Sequence, residues 1–277
     1  MTICGAMSLN QALQPYQTVL ITGASSGIGQ CFLTTLDKMV SPRSFGNLSR
    51  RIPAKKVDRP LRHFSCDLEK AAEIDAILPQ VRDWLQKETT GKILLINNSG
   101  FGEYGRFQHG TPAHQLGMID VNVRAVVHLT QALLPLLLER GGAVMNIASV
   151  AAWQPTPFLA TYGATKAFLL HWSLACGRDL RGTGVHFLAV CPGPTTSEFG
   201  QRAGLANAPD SGIGMTADEV VLSSLDALVN RRTVVVNGIH NRLLVLLARL
   251  LLPSMQARVA RPILARFRDP QKASPTR

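Results

Sequence analysis

The sequence predicts an α/β fold: a single domain built on a doubly wound parallel sheet with helices on both faces. Three observations carry this. Short β-branched runs alternate with longer stretches at helical spacing, each run is apolar on nearly every residue as a strand buried on both faces would be, and a glycine-rich turn follows the first run. Strand, helix and strand in repetition imply right-handed crossovers. With 277 residues and 46% hydrophobic content, the chain is long enough for one sizeable core.

The strands are expected at "TVLIT" (18–22), "ILLINN" (93–98), "AVMNIAS" (143–149), "HFLAVCPG" (186–193) and "TVVVNG" (233–238). Helices are expected over 112–139, where Met118, Ile119, Val123, Val126 and Val127 fall at helical spacing, and over 158–180, with Phe168, Leu169, Trp172 and Leu174. Residues 1–17 read as an N-terminal extension without a basic or apolar leader, and no apolar run approaches the roughly 18 residues that would span a bilayer. Neither export nor membrane spanning is expected. Cys4, Cys31, Cys66, Cys176 and Cys191 are scattered without paired spacing, which suggests reduced thiols and a cytoplasmic setting. None of the seven histidines has a ligand spacing, so no metal is predicted.

Net charge is +11 but uneven, because from position 231 onward nine Arg and one Lys face a single acid, Asp269. The body is nearly neutral. A cationic tail of this kind is most simply a solvated face, and it can also meet anionic membranes or nucleic acid without specificity.

The chemistry is carried by spacing. In "TGASSGIG" (22–29), Gly23 permits a sharp turn, Gly27 lets backbone N–H groups approach a pyrophosphate, and Gly29 allows a helix to pack closely on the strand. The spacing G-x-x-x-G-x-G differs from G-x-G-x-x-G, pointing to another branch of nucleotide-binding folds. "NNSG" (97–100) closes the next apolar strand at the end where ligands bind in open sheets. Ser149 ends a third strand, and Tyr162 and Lys166 follow at i and i+4 on one helix face, where an ammonium would lower the phenol's pKa from about 10. A lone Y-x-x-x-K is an ordinary surface pair, so its weight comes from this company.

Taken together, "TGASSGIG", "NNSG", "VNVRA", "NIASVAA", "YGATKAF" and "CPGPT" resemble the classical short-chain dehydrogenase/reductase family, in order from Thr18 to Phe199. The resemblance implies a Rossmann-type domain over 18–240 and an NAD(P)-dependent enzyme acting on a carbonyl or alcohol. It implies Tyr162 as general acid/base, Lys166 bonding the nicotinamide ribose and lowering the tyrosine pKa, Ser149 polarising the carbonyl, and Asn122 holding a water that links the lysine to solvent. The cofactor would meet Gly23, Ser25, Ser26, Gly27, Ile28 and Gly29 at its phosphates and Asp67 and Leu68 at its adenine. Asn98, Gly100, Tyr162, Lys166, Pro192, Gly193, Thr195 and Ser197 would line its nicotinamide half. Arg50 and Arg51 in "NLSRR", with no acid in that run, favour NADP(H) over NAD(H).

The sequence departs from the family at 41–63, which reads as irregular: "RSFGNLSRR" is a poor, polar strand and too few residues follow it for the expected helix. Ser99 and Ser197 are smaller departures. Residues 197–219 are the expected substrate lid, with Phe199 and Met215 as apolar walls, and Trp153 as a further pocket residue. The leucine- and arginine-rich segment 241–277 reads as a helical pair that caps the cleft, forms a subunit face, or lies on an anionic membrane. A homodimer or homotetramer through the two long helices is expected, with no specific nucleic-acid partner. The alternatives are a regulator or scaffold that holds NADPH without turnover, and a membrane-peripheral reductase of lipid-like substrates.

Overall fold

The computed structural model describes residues 8–39, 43–88, 90–195, 199–200, 203–204 and 214–266. Its centre is a seven-stranded sheet in the order β3-β2-β1-β4-β5-β6-β7, with every neighbouring pair parallel. The strands are β1 (Tyr16–Thr22), β2 (Ser44–Ser49), β3 (Leu61–Ser65), β4 (Lys92–Asn97), β5 (Gly142–Ile147), β6 (Val185–Cys191) and β7 (Val234–Val236).

The sheet's alternation sorts its side chains into two layers. Leu20, Leu95, Val144 and Phe187 face α3 (Ala71–Glu88) and α5 (Ala125–Arg140), whose Ile74, Val81, Leu129 and Leu133 complete that core. Val19, Ile21, Leu94, Ile96, Met145 and Leu188 face the other way, onto Phe32 and Leu33 of α2 (Gly27–Asp37) and Val221 and Leu225 of α7 (Ala217–Val229). The segment ahead of Thr18 contributes α1 (Leu9–Leu13), whose Leu13 is buried in this second layer, and the first residues of β1.

β2 corrects the expectation for 41–63. All six of its residues are buried, although only Phe45 and Leu48 are apolar. The reason is tertiary. A Cβ at Gly46 would stand 2.7 Å from the Trp84 ring, so the glycine makes room for that indole, while Asn47 finds partners for its whole amide. No helix joins β2 to β3. The link is an extended loop held by the Asp37 carboxylate, which accepts the N–H groups of Asp58 and Arg59 at 2.8 and 3.0 Å.

The long helix expected at 112–139 is two helices, α4 (Pro112–Ile119) and α5, joined by one wider π-helical turn at Asp120–Arg124. Contrary to the expectation of no membrane-length run, Pro112–Arg140 is long and apolar enough to cross a bilayer by length and composition. Half of its most apolar window is buried inside the protein, as in a core helix. α6 (Ala160–Asp179) lies on β6, and the chain closes with α8 (Ile239–Arg249) and α9 (Pro253–Ala265).

Candidate active site

Strand order reverses where β1 meets β4, and the carboxyl ends of β1, β4, β5 and β6 open into one cavity of about 840 Å³. Gly23 and Gly27 carry φ of +72° and +56°, conformations that glycine adopts without Cβ strain. A Cβ at Gly29 would lie 2.3 Å from the Gly23 carbonyl oxygen, so Gly29 packs behind the loop and does not line the cavity. Ser26, at the helix cap position, makes no side-chain cap bond, so the cavity-lining start of α2 keeps a positive dipole end.

Two asparagines hold this loop. The Asn98 amide donates to the carbonyls of Thr22 and Gly23 at 3.0 and 3.2 Å, so although Asn98 lines the cavity, its side chain braces β1. Asn47, fully buried, accepts the Ala24 N–H at 2.9 Å. Its amide nitrogen lies 3.0 Å from Ser49 Oγ, 3.3 Å from the Arg51 carbonyl and 2.9 Å from His63 Nδ1. One side chain thus joins the glycine loop to the backbone carrying Arg50 and Arg51, and both arginines line the cavity with Asp67 and Leu68. The sequence reading missed Asn47, whose one signal was an amide inside a strand.

At the other end, Ser149 follows β5 and caps the short turn Val150–Trp153, its Oγ accepting the Ala151 N–H at 3.1 Å. Its hydroxyl neighbours the phenol of Tyr162 and favours its ionised form. Lys166 Nζ donates to the Ile147 carbonyl at 2.7 Å and lies 5.7 Å from the Tyr162 ring centroid. Asn122, on the π-helical turn, is wholly buried: its Oδ1 accepts the Phe101 N–H at 3.1 Å, and its Nδ2 donates to the Phe101 carbonyl and Thr165 Oγ1, both at 3.0 Å. A Cβ at Gly100 would stand 3.0 Å from Asn122 Oδ1 and 3.3 Å from Lys166 Nζ, so Gly100 keeps that corner open.

The electrostatics differ from the expectation of a depressed tyrosine. Burial pushes the Tyr162 phenol up to about 12, opposed by the neighbouring Ser149 hydroxyl and raised further by Cys191. Burial also lowers the Lys166 ammonium to about 8. The lysine turns its charge to the Ile147 carbonyl, so desolvation dominates at the tyrosine.

Phe199 stands over Tyr162 with ring centroids 5.1 Å apart and lines the cavity as expected, while Gly102 leaves room beneath both rings. Leu264 of α9 joins the lining, its carbonyl accepting the Tyr104 hydroxyl at 2.6 Å. Part of the C-terminal segment therefore closes the cavity. Pro192, Gly193 and Thr195 line it too, Pro192 accepting the Val150 N–H at 3.0 Å, and a Cβ at Gly193 would strike the Asn241 amide at 2.3 Å.

Two wall residues are corrected. Met215 turns away to Gly238 and Asn241, and Trp153 faces a separate groove beside β7 with Arg249 over its ring. Ser197 and most of the expected lid lie outside the described residues. Among the described residues, no three His, Cys, Asp or Glu side chains cluster as metal ligands.

A sheet of this order, a glycine loop at its switch point and a Ser–Tyr–Lys cluster beside it define a dinucleotide-binding oxidoreductase architecture. The family model for short chain dehydrogenase matches residues 17–207, and the chain belongs to that family of NAD(P)-dependent oxidoreductases. Similar proteins include a ketoacyl reductase of Nostoc sp., 34% identical over 185 residues that cover 64% of this chain and 63% of that protein. A serine 3-dehydrogenase of Rhizobium radiobacter is 34% identical over 203 residues, covering 66% and 73% of the two chains. A short-chain dehydrogenase from Sphingobium yanoikuyae, solved in complex with NADPH, superposes with a TM-score of 0.71 at 29% identity, covering 80% of this chain and 88% of its own.

Proposed function

We propose that this protein is an NADP(H)-dependent oxidoreductase that interconverts a carbonyl and an alcohol on a small molecule. The observation that carries the reading is that Ser149, Tyr162 and Lys166 line one end of a cavity that begins at the glycine loop, with Lys166 Nζ 5.7 Å from the Tyr162 ring centroid. A bound nicotinamide dinucleotide supplies or accepts the hydride. The residues fit such a group: positive-φ glycines and an uncapped helix start suit its phosphates, and Arg50 and Arg51 suit a ribose 2′-phosphate.

This chain's own groups do the rest. Tyr162, held neutral by burial, gives its proton to the developing alkoxide, and Ser149 donates a hydrogen bond to the same oxygen. Lys166 would bond the nicotinamide ribose and carry the charge that assists the phenol in the loaded site. Asn122, locked in place by Phe101 and Thr165, would hold the water that connects Lys166 to solvent. Residues 18–240 form the catalytic unit, in a cytoplasmic enzyme. The exposed Leu116, Ile119, Leu138 and Phe168 on the long helices support a homodimer or homotetramer.

The test is NADPH consumption with a panel of aldehydes and ketones, comparing wild type with Tyr162→Phe. Loss of the acid/base is expected to cost about 10²- to 10⁴-fold in rate. A scaffold that only holds NADPH predicts no rate that depends on Tyr162.

A further inference from the structure

The structure assigns the exposed apolar stripes of α8 and α9, with the arginine-lined groove beside β7, as a docking surface for an anionic lipid bilayer. Ile239, Leu243, Leu246, Leu247 and Leu250 recur at i, i+4, i+7, i+8 and i+11, and all five are exposed. Val245 and Ala248, on the opposite side of α8, are buried against the body. α9 repeats the arrangement, with Leu252, Met255, Val259 and Ile263 forming one exposed stripe. Folding has therefore buried only Val245, Ala248 and Ala260 of these helices and left these nine large apolar side chains exposed, more than isolated surface leucines would give.

The groove adjoins the stripe and shares Leu246 with it. Its volume is about 440 Å³, its floor is Val234–Val236 and Trp153, and its rim carries Arg232, Arg242 and Arg249. Arg242 Nε donates to the Val236 carbonyl at 2.9 Å and the Arg249 guanidinium lies 5.5 Å from the Trp153 ring centroid, so both are held by the fold. An apolar floor with three guanidiniums suits a phosphate head group above acyl chains.

Charge selects the occupant. From Arg231 to Arg266 the chain has seven arginines and no acid, so a second copy docked by a two-fold axis would set cations against cations. The eleven residues after Arg266 add three cations and one acid, making them an equally poor cover. A bilayer with anionic head groups meets both the leucines and the arginines. Leu264 belongs to α9 and also lines the cavity, which sets the docking surface beside the substrate route. The proposal stands whether or not the oxidoreductase reading holds.

The experiment is sedimentation of the full chain with vesicles of phosphatidylcholine alone or mixed with phosphatidylglycerol, which requires no turnover. The expected result is binding to the anionic vesicles only, weakened by salt and by about fivefold for each of Arg242→Gln and Arg249→Gln. The triple variant Leu243→Gln, Leu247→Gln, Leu250→Gln is expected to lose about a hundredfold or more while keeping its melting temperature and NADPH affinity. Failure of the wild type to bind, or equal binding to neutral vesicles, would overturn the proposal. So would a dimer that the leucine variant converts to monomer with vesicle binding unchanged.

Discussion

Asn47→Ala should damage stability and nucleotide binding together. The Asn47 amide is fully buried and serves four groups: the Ala24 N–H, Ser49 Oγ, the Arg51 carbonyl and His63 Nδ1. Arg51 keeps a bond from Ser49 Oγ at 2.8 Å, so the main orphan in the variant is the Ala24 N–H, with lesser losses at Ser49 and His63. An unsatisfied buried donor costs about 1–3 kcal/mol, and with the small void left behind the total comes to about 3 kcal/mol. For a chain of this size that corresponds to a fall of about 6–12 °C in melting temperature. Because the same amide sets the glycine loop and the Arg51 backbone, NADPH affinity should fall as well, by about tenfold on the scale of one lost orienting contact. Thermal unfolding by circular dichroism and NADPH titration by fluorescence read the two effects. A melting temperature within 2 °C of wild type, or a destabilised protein with unchanged NADPH affinity, would refute the reasoning that Asn47 couples the loop to the arginines.

Three other predictions concern the same site. Gly29→Ala would press a methyl to 2.3 Å from the Gly23 carbonyl and 2.4 Å from the Asn98 amide, so it should lower melting temperature and weaken nucleotide binding, both measurable in the same titration. Arg50→Ala with Arg51→Ala should weaken NADPH far more than NADH, read as the ratio of their dissociation constants. The pH dependence has two windows. Lys166, held at about 8 against an ordinary 10.5, carries a charging penalty below pH 8 that is relieved as pH rises to 10.5, a gain that Lys166→Met should abolish. Tyr162, held at about 12 against an ordinary 10.0, contributes stability that is complete below pH 10 and lost as pH rises through 12, a loss that Tyr162→Phe should abolish. Urea unfolding at stepped pH checks both signs.

Four of the five apolar strands were legible because they are buried on both faces, which leaves a continuous hydrophobic run in the sequence; β7, at the sheet edge, is apolar but only partly buried. β2 was not, since its burial rests on Trp84 filling the space at Gly46 and on partners for the Asn47 amide, neither of which is local. The break between α4 and α5 was hidden too, since apolar residues recur at helical spacing on both sides of the wider turn. At the site, motif spacing brought out residues that the fold gathers around one cavity, including Ser149, Tyr162 and Lys166. At Tyr162, spacing gives proximity to Lys166 but not the desolvation that raises the phenol in this structure. Trp153 and Met215 were read by nearness to motifs in the chain, and their rings and side chains turn the other way. Tyr104 and Leu264, 160 positions apart, meet only through the fold.

The most direct test of the central claim is a single cuvette in which NADPH and NADH are titrated against the protein and a carbonyl panel is then added, for wild type and Tyr162→Phe. The account predicts tighter binding of NADPH than NADH by wild type, NADPH binding retained by the variant, and consumption of NADPH by wild type alone. Binding of neither nucleotide, or equal consumption by wild type and variant, would contradict it.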